Sequence, residues 1–246
     1  MIKIITIITQ IIVATLTALL FASCNQIIER NAITGSGKVT TQKRIVQGDF
    51  NKIDVSNTIE VIIEQSDKVA ITVEADDNLQ NGITTTVENG TLVIKCQYNS
   101  FVNVSEKKVH IKMPLIEGLT ASSASSIKSN AVIVSNKMRL TASSAATIDV
   151  AIESDVINCD LSSASAIAVK GKALQMDVTS SSGSSFNAKE LLVNDITANA
   201  SSGSVQNIHP IVSLNAEASS GGTISYNTNP KISKNAQSSG GSINKE

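Results

Sequence analysis

A three-residue phrase returns seven times between Leu119 and the C-terminus. It reads Ser122-Ser123-Ala124, Ser143-Ser144-Ala145, Ser162-Ser163-Ala164, Ser181-Ser182-Gly183, Ser201-Ser202-Gly203, Ser219-Ser220-Gly221 and Ser238-Ser239-Gly240. Between successive second serines the spacings are 21, 19, 19, 20, 18 and 19 residues. Four places after that serine stands an apolar residue in six copies: Ile127, Ile148, Ile167, Phe186, Ile224 and Ile243. The fifth copy is one residue short and is expected to use Val205 instead. Alternating runs such as Met138-Arg139-Leu140-Thr141-Ala142 precede several copies. A period near twenty, made of short alternating segments and small-residue corners, predicts a solenoid of stacked β-rungs. Rungs stack about 4.8 Å apart, so a corner repeated in register is expected to accept only small side chains. Serine suits such bends because its hydroxyl can bond nearby backbone groups. A flexible Ser/Gly linker has no use for the apolar residue that follows each corner.

Residues 1–23 read as a secretory signal. Lys3 precedes an apolar and Thr-rich run from Ile4 to Phe21, closed by Ala22-Ser23. Cys24 follows at the position where a bacterial lipobox places the thiol that is acylated, although Phe21 stands where Leu is usual. Cys24 is therefore the expected lipidation site and membrane anchor, and residues 24–37 the tether. The expected location is the outer membrane, facing either the periplasm or the cell surface. Without residues 1–23, which hold Lys3 as their one charge, the chain has a formal charge of about −2. That balance gives no reason to expect nucleic acid as a partner. Cys96 and Cys159 lie in apolar alternating contexts in different halves of the chain and read as buried free thiols.

Residues 38–115 carry longer strands and form an N-terminal β region; residues 116–246 form the Ser-rich solenoid. Six alternating runs mark the first part, with apolar sets such as Ile53/Val55, Ile59/Val61/Ile63, Leu92/Ile94/Cys96 and Val109/Ile111/Met113. Asn89-Gly90 between Val87 and Leu92 predicts a hairpin, because both residues accept positive φ. No helical stripe appears outside the signal, so the mature chain reads as all-β.

The runs Gly48-Asp49-Phe50-Asn51-Lys52-Ile53-Asp54-Val55 and Ile59-Glu60-Val61-Ile62-Ile63-Glu64-Gln65, with Val69 to Val73, carry a resemblance. Asp76-Asp77-Asn78-Leu79, Ile83 to Val87, Asn89 to Ile94 and the Ser-Ser-Ala/Gly repeats extend it. Together they resemble the family described as putative auto-transporter adhesin, head GIN domain, found in Gram-negative lipoproteins. The resemblance covers nearly all of the mature chain. It implies a right-handed parallel β-helix, or solenoid, with a β-rich N-terminal part. No segment resembling the membrane barrel of an auto-transporter is read here, so that export route is not expected to transfer.

Chemistry finds few candidates. A serine nucleophile needs a base beside it, and the chain has only His110, on an alternating strand, and His209, before a proline. Asp76-Asp77 lies in a turn, where Asp is expected for backbone reasons. Aromatic platforms for a sugar are scarce, with Phe50, Phe101, Phe186, Tyr98 and Tyr226 in the mature chain and no Trp. Zinc and calcium spacings are not found, so no catalytic, cofactor or metal residues are named. The expectation is a non-enzymatic binding or adhesion module whose partner is a polysaccharide or a protein. The alternative is a carrier of a lipid or small apolar ligand, which an apolar cavity would favour; a polysaccharide-active enzyme comes after both. The run from Ser238 to Glu246 leaves the last rung uncovered, and that end is expected to fray or to pair end to end with a second copy.

Overall fold

The computed structural model describes residues 10, 12–15, 17 and 32–246. The expected lipidation site, Cys24, and nearly all of the expected signal segment lie outside the described residues. Among the described residues, no helix is long and apolar enough to cross a membrane.

From residue 32 the chain is built of strands. The first nine are β1 (Ala32–Thr34), β2 (Val39–Arg44), β3 (Lys52–Val55), β4 (Glu60–Gln65), β5 (Ala70–Asp76), β6 (Ile83–Glu88), β7 (Thr91–Cys96), β8 (Ser100–Val102) and β9 (Lys107–Met113). They lead into β10 (Gly118–Ala121), the long β11 (Ser126–Ala142), β12 (Thr147–Leu161) and β13 (Ala166–Ser180), then β14 (Ser185–Asn187) and β15 (Leu191–Ala200). The last five are β16 (Val205–Ile208), β17 (Pro210–Ala218), β18 (Thr223–Tyr226), β19 (Ile232–Gln237) and β20 (Ser242–Lys245). The Ser-pair repeats coil into a β-solenoid of about seven turns. Each repeat pairs in parallel and in register with the next, so Leu140 faces Cys159, Cys159 faces Val178 and Val178 faces Ala198.

Parallel register stacks like on like, and the core is a set of columns. One runs Leu92, Ile53, Leu119, Leu140, Cys159, Val178, Ala198 and Ala216. A second runs Val109, Val61, Ile127, Ile148, Ile167 and Phe186. All of these side chains are buried. Each fully buried aliphatic side chain contributes about 1.5–3 kcal/mol, so the columns carry most of the driving force for stacking.

The corners correct the steric expectation. Ser123, Ser144 and Ser163 are exposed, as are the alanines that follow them, so lack of room does not limit these positions. What the corner demands is a sign of φ: Ser123 and Ala124 lie at 52° and 56°, Ser163 and Ala164 at 54° and 58°. A bond closes each turn from the fourth residue to the first, such as Ser125 N to Ser122 O (3.2 Å) and Ser184 N to Ser181 O (3.2 Å). Positive φ at both central residues makes these turns type I′. Small size matters one position later. Ser125, Ser165, Ser184 and Ser204 point inward and are buried, with Ala146 in the same column. Gly222 and Gly241 complete it, and a Cβ at Gly222 would land on the carbonyl oxygen of Ala200.

The corner backbone forms a ladder of its own. Ala124 N donates to Ser144 O, Ala145 N to Ser163 O, Ala164 N to Ser182 O and Gly183 N to Ser202 O, at 2.9–3.0 Å. The ladder begins before the first Ser-pair, with Thr58 N donating to Ser123 O at 2.9 Å. Asn57 and Thr58, at φ of 62° and 56°, are thus a further corner, joining β3 to β4 as a rung of the same stack.

The two ends differ. Above β3 and β4 lie β7 and β9, still parallel. Then the direction reverses: β6 runs antiparallel to β7, and β5 antiparallel to both β9 and β2. That switch ends the parallel stack on the N-terminal side. The Asn89-Gly90 hairpin joins β6 to β7 with φ of 49° and 74°, as predicted. At the other end β19 pairs in parallel with β17 alone, and all six of its residues are exposed. Its inward positions are polar: Ser233, Asn235 and Gln237 stand opposite Leu214, Ala216 and Ala218. Polar residues at inward positions blunt an open sheet end without covering it. The last rung is formed through Lys245, and Glu246 is pinned to Lys189 by a 2.6 Å ion pair.

Val205 does not take the apolar role expected of it. It points outward, 40% exposed, while Gln206 enters the column between Phe186 and Ile224 with no exposed surface. The amide nitrogen of Gln206 donates to Ser180 Oγ (2.8 Å) and Asn199 O (2.7 Å), and its oxygen has no partner.

Candidate functional site

Each full turn has three strand segments. One follows the Ser-pair corner, a short one follows the next bend, and the third leads back to the corner. The short segments stack Val134 on Glu153, Glu153 on Lys172 and Lys172 on Leu192, all facing outward. Beside them, at the bend into the third segment, stand Asn136, Asp155, Leu174 and Asn194. These two rows bound a groove of about 490 Å³ that also takes in Ile211.

Its floor is aliphatic. Val134, Leu174, Leu192 and Ile211 are 42–58% exposed, although most other large aliphatic side chains of the repeats are buried in the columns. The Glu153 carboxylate and Lys172 ammonium bridge two layers at 3.1 Å, so their methylene stems extend the floor between Val134 and Leu192. The rim is polar and uncommitted. Asn136, Asp155 and Asn194 make no side-chain hydrogen bond or ion pair among the described residues. Ser135, which also lines the groove, is buried with no partner for its Oγ. At the upper edge the Gln65 amide acts as a substitute peptide unit: its oxygen accepts from Val134 N (2.9 Å) and its nitrogen donates to Val134 O (3.0 Å). That pairing holds the Val134 edge where β4 has ended. An apolar floor with a few convergent polar groups is the usual character of a small-molecule site.

The sequence candidates are dispersed. His110 points outward and pairs with Glu74 at 3.0 Å, and His209 Nδ1 lies 3.0 Å from Lys189 O. Asp76 is fully buried and accepts from the backbone amides of Gly37, Ser105 and Glu106. It is a loop anchor, parted in role from Asp77, whose carboxyl is held below the usual range chiefly by Ser36 and pairs with Lys38 at 3.5 Å. Among the described residues no three His, Cys, Asp or Glu side chains are grouped to hold a metal. Cys96 and Cys159 are buried free thiols, as expected, and burial pushes both upward in pKa.

Lys107 was not foreseen. Its ammonium donates to Asn57 O at 2.8 Å and to Thr58 Oγ, and lies 3.1 Å from the centre of the Phe101 ring. In the ladder the equivalent carbonyls, such as Ser144 O, accept from the corner above. The layer above Asn57 has no such corner, since β7 runs out into β8 before β9. Lys107 therefore caps the ladder, and burial pushes its pKa down to about 8.

A family description, putative auto-transporter adhesin, head GIN domain, matches residues 49–230. The chain belongs to that family. Among solved structures, a putative adhesin from Bacteroides fragilis superposes with a TM-score of 0.80 at 19% identity, over 87% of this chain and 100% of that one. A protein from Parabacteroides distasonis described as a putative lipid binding protein gives 0.70 at 22% identity, over 87% and 99%. A putative adhesin from Parabacteroides merdae gives 0.69 at 19%, over 88% and 99%. At these identities the likeness establishes the fold, and the family suggests a cell-envelope or surface protein. No curated protein matches the sequence.

The groove was not singled out from sequence. Its signal was available: Val134, Leu174, Leu192 and Ile211 fall 11, 11, 10 and 9 residues after the second serines Ser123, Ser163, Ser182 and Ser202. Apolar residues recurring outside the inward phase mark a surface that the fold does not need.

Proposed function

We propose that this member of the head GIN domain family is a non-catalytic binding module of the cell envelope, held at the outer membrane through lipid on Cys24. The observation that carries the reading is the outward aliphatic groove edged by uncommitted Asn136, Asp155 and Asn194. Solenoid flanks suit extended partners, because a groove running along the stack repeats its contacts layer by layer. Adhesion to an extended polysaccharide or protein fits that geometry and the family's name. The separation of His110 and His209 from any activated serine supports a role without turnover.

A second reading, carriage of a lipid or small apolar ligand, is favoured by the aliphatic character of the same groove. One structural relative is described as a putative lipid binding protein. The central columns are filled by Ile, Val and Leu, so on this reading too the ligand lies in the groove and not inside the coil. The test is retention of envelope components on the immobilised chain, compared with Leu174→Asp. Loss of retention in the variant supports the groove; equal retention removes it. Cys24→Ala should move the protein from the membrane to the soluble fraction, and unchanged attachment would refute the lipid anchor.

A further inference from the structure

We infer that the groove takes a single-chain amphiphile with an uncharged head, of the monoacylglycerol class. The inference rests on the second reading, carriage of a small apolar ligand in this groove, and names its occupant.

Length is the first argument. From Val134 to Ile211 the apolar row crosses five layers, and four steps of about 4.8 Å give about 19 Å, close to the reach of one extended long acyl chain. The large apolar side chains number one each in four of the five layers, with the Glu153 stem bridging the fifth, so the strip is narrow and suits one chain better than two. Its apolar lining is aliphatic, set among polar side chains, and no aromatic side chain offers a face on which a sugar ring could stack. A flat protein partner would need a broader apolar patch than a single row.

Charge selects the head. Two carboxylates, Glu153 and Asp155, line the groove against one ammonium, Lys172, which is already held by Glu153. A fatty-acid anion or a phosphate head would meet excess negative charge with no free cation on the lining. The Asn136 and Asn194 amides and the Asp155 carboxylate offer donors and acceptors that match hydroxyl groups. Ser135 adds a buried hydroxyl without a partner beside the floor. A polyol head satisfies these groups without bringing a charge.

The experiment uses the full chain carrying Cys24→Ala, so that no detergent competes. Monooleoylglycerol, oleate and lysophosphatidylcholine are titrated below their aggregation concentrations by calorimetry. One-to-one binding of monooleoylglycerol, at least tenfold tighter than oleate, is expected. Leu174→Asp and Leu192→Asp should weaken it at least tenfold. Val205→Asp, an exposed aliphatic position outside the groove, should leave it unchanged. Glu153→Gln with Asp155→Asn frees Lys172 and should raise oleate affinity at least tenfold. Absence of monooleoylglycerol binding, or binding that ignores Leu174→Asp, overturns the inference. So does oleate binding as tightly as monooleoylglycerol to the parent chain. If Leu174→Asp abolishes retention of envelope components while monooleoylglycerol does not bind, the groove stands as the surface and the amphiphile falls. If neither measurement responds to Leu174→Asp, both fall.

Discussion

Replacing Ser163 with Val, Leu or Asn separates two explanations of the corner that rank the variants differently. If stacking left no room, cost would rise with size, and Leu would be the worst. In the structure Ser163 is exposed at φ of 54°, so bulk meets water and only the backbone conformation is at stake. Left-handed backbone costs an L-residue about 1–2 kcal/mol, is worst for β-branched side chains and is easiest for Asn. Serine already bears part of that cost. Val should therefore destabilise by about 1 kcal/mol, Leu by less, and Asn should be neutral or stabilising by a few tenths. For a chain of this length 1 kcal/mol moves the melting temperature by about 2–4 °C. Urea midpoints at a common slope give the ranking directly. Leu falling well below Val, with Asn also destabilising, would refute the conformational account and restore the steric one.

The buried amide gives a second prediction. Gln206→Leu removes an orphaned acceptor and fills the same column, but it also takes the donors from Ser180 Oγ and Asn199 O, so it should be near neutral, within about 1 kcal/mol. Gln206→Ala leaves a hole between Phe186 and Ile224 and should lose about 2–4 kcal/mol in the same urea assay. Lys107 makes a pH prediction. Its folded pKa of about 8 lies below the ordinary 10.5, so between those values the unfolded chain keeps a proton that the folded chain has released. Stability should therefore rise with pH across that window and lose this contribution below it, and Lys107→Met should flatten the difference. A parent and a variant that respond alike to pH 8, 9 and 10 would contradict it.

Much of the fold was legible because the solenoid writes its period into the chain. The apolar residue that follows six of the seven corners, the Asn89-Gly90 hairpin and the buried cysteines all lie where local chemistry puts them. At the corners side-chain identity reports the sign of φ and not the room available. Serine tolerates the positive φ of the corner, and so does Asn57 with Thr58. The Ser-pair pattern therefore does not mark this corner, whose conformation is the same. Val205 and Gln206 show the opposite limit. Hydrophobicity favours Val inward, but the phase set by the corner is common to all seven copies, and one slipped residue would turn the whole segment inside out. The candidate groove was hidden for a related reason. Leu174, Leu192 and Ile211 look like core residues until register shows which of their neighbours point inward. Lys107 could not be read at all, since its partners Asn57 and Thr58 are brought to it by the non-sequential stacking of β9 on β4.

Methyl-resolved NMR on the Ile, Leu and Val side chains tests the binding surface most directly. Envelope extract is titrated into the labelled chain carrying Cys24→Ala. The account predicts shifts at Val134, Leu174, Leu192 and Ile211, with the buried column of Ile127, Ile148 and Ile167 and the outlying Val205 unmoved. Shifts centred on Val205 or on the exposed Ile232 of β19, with the four groove methyls silent, would contradict it.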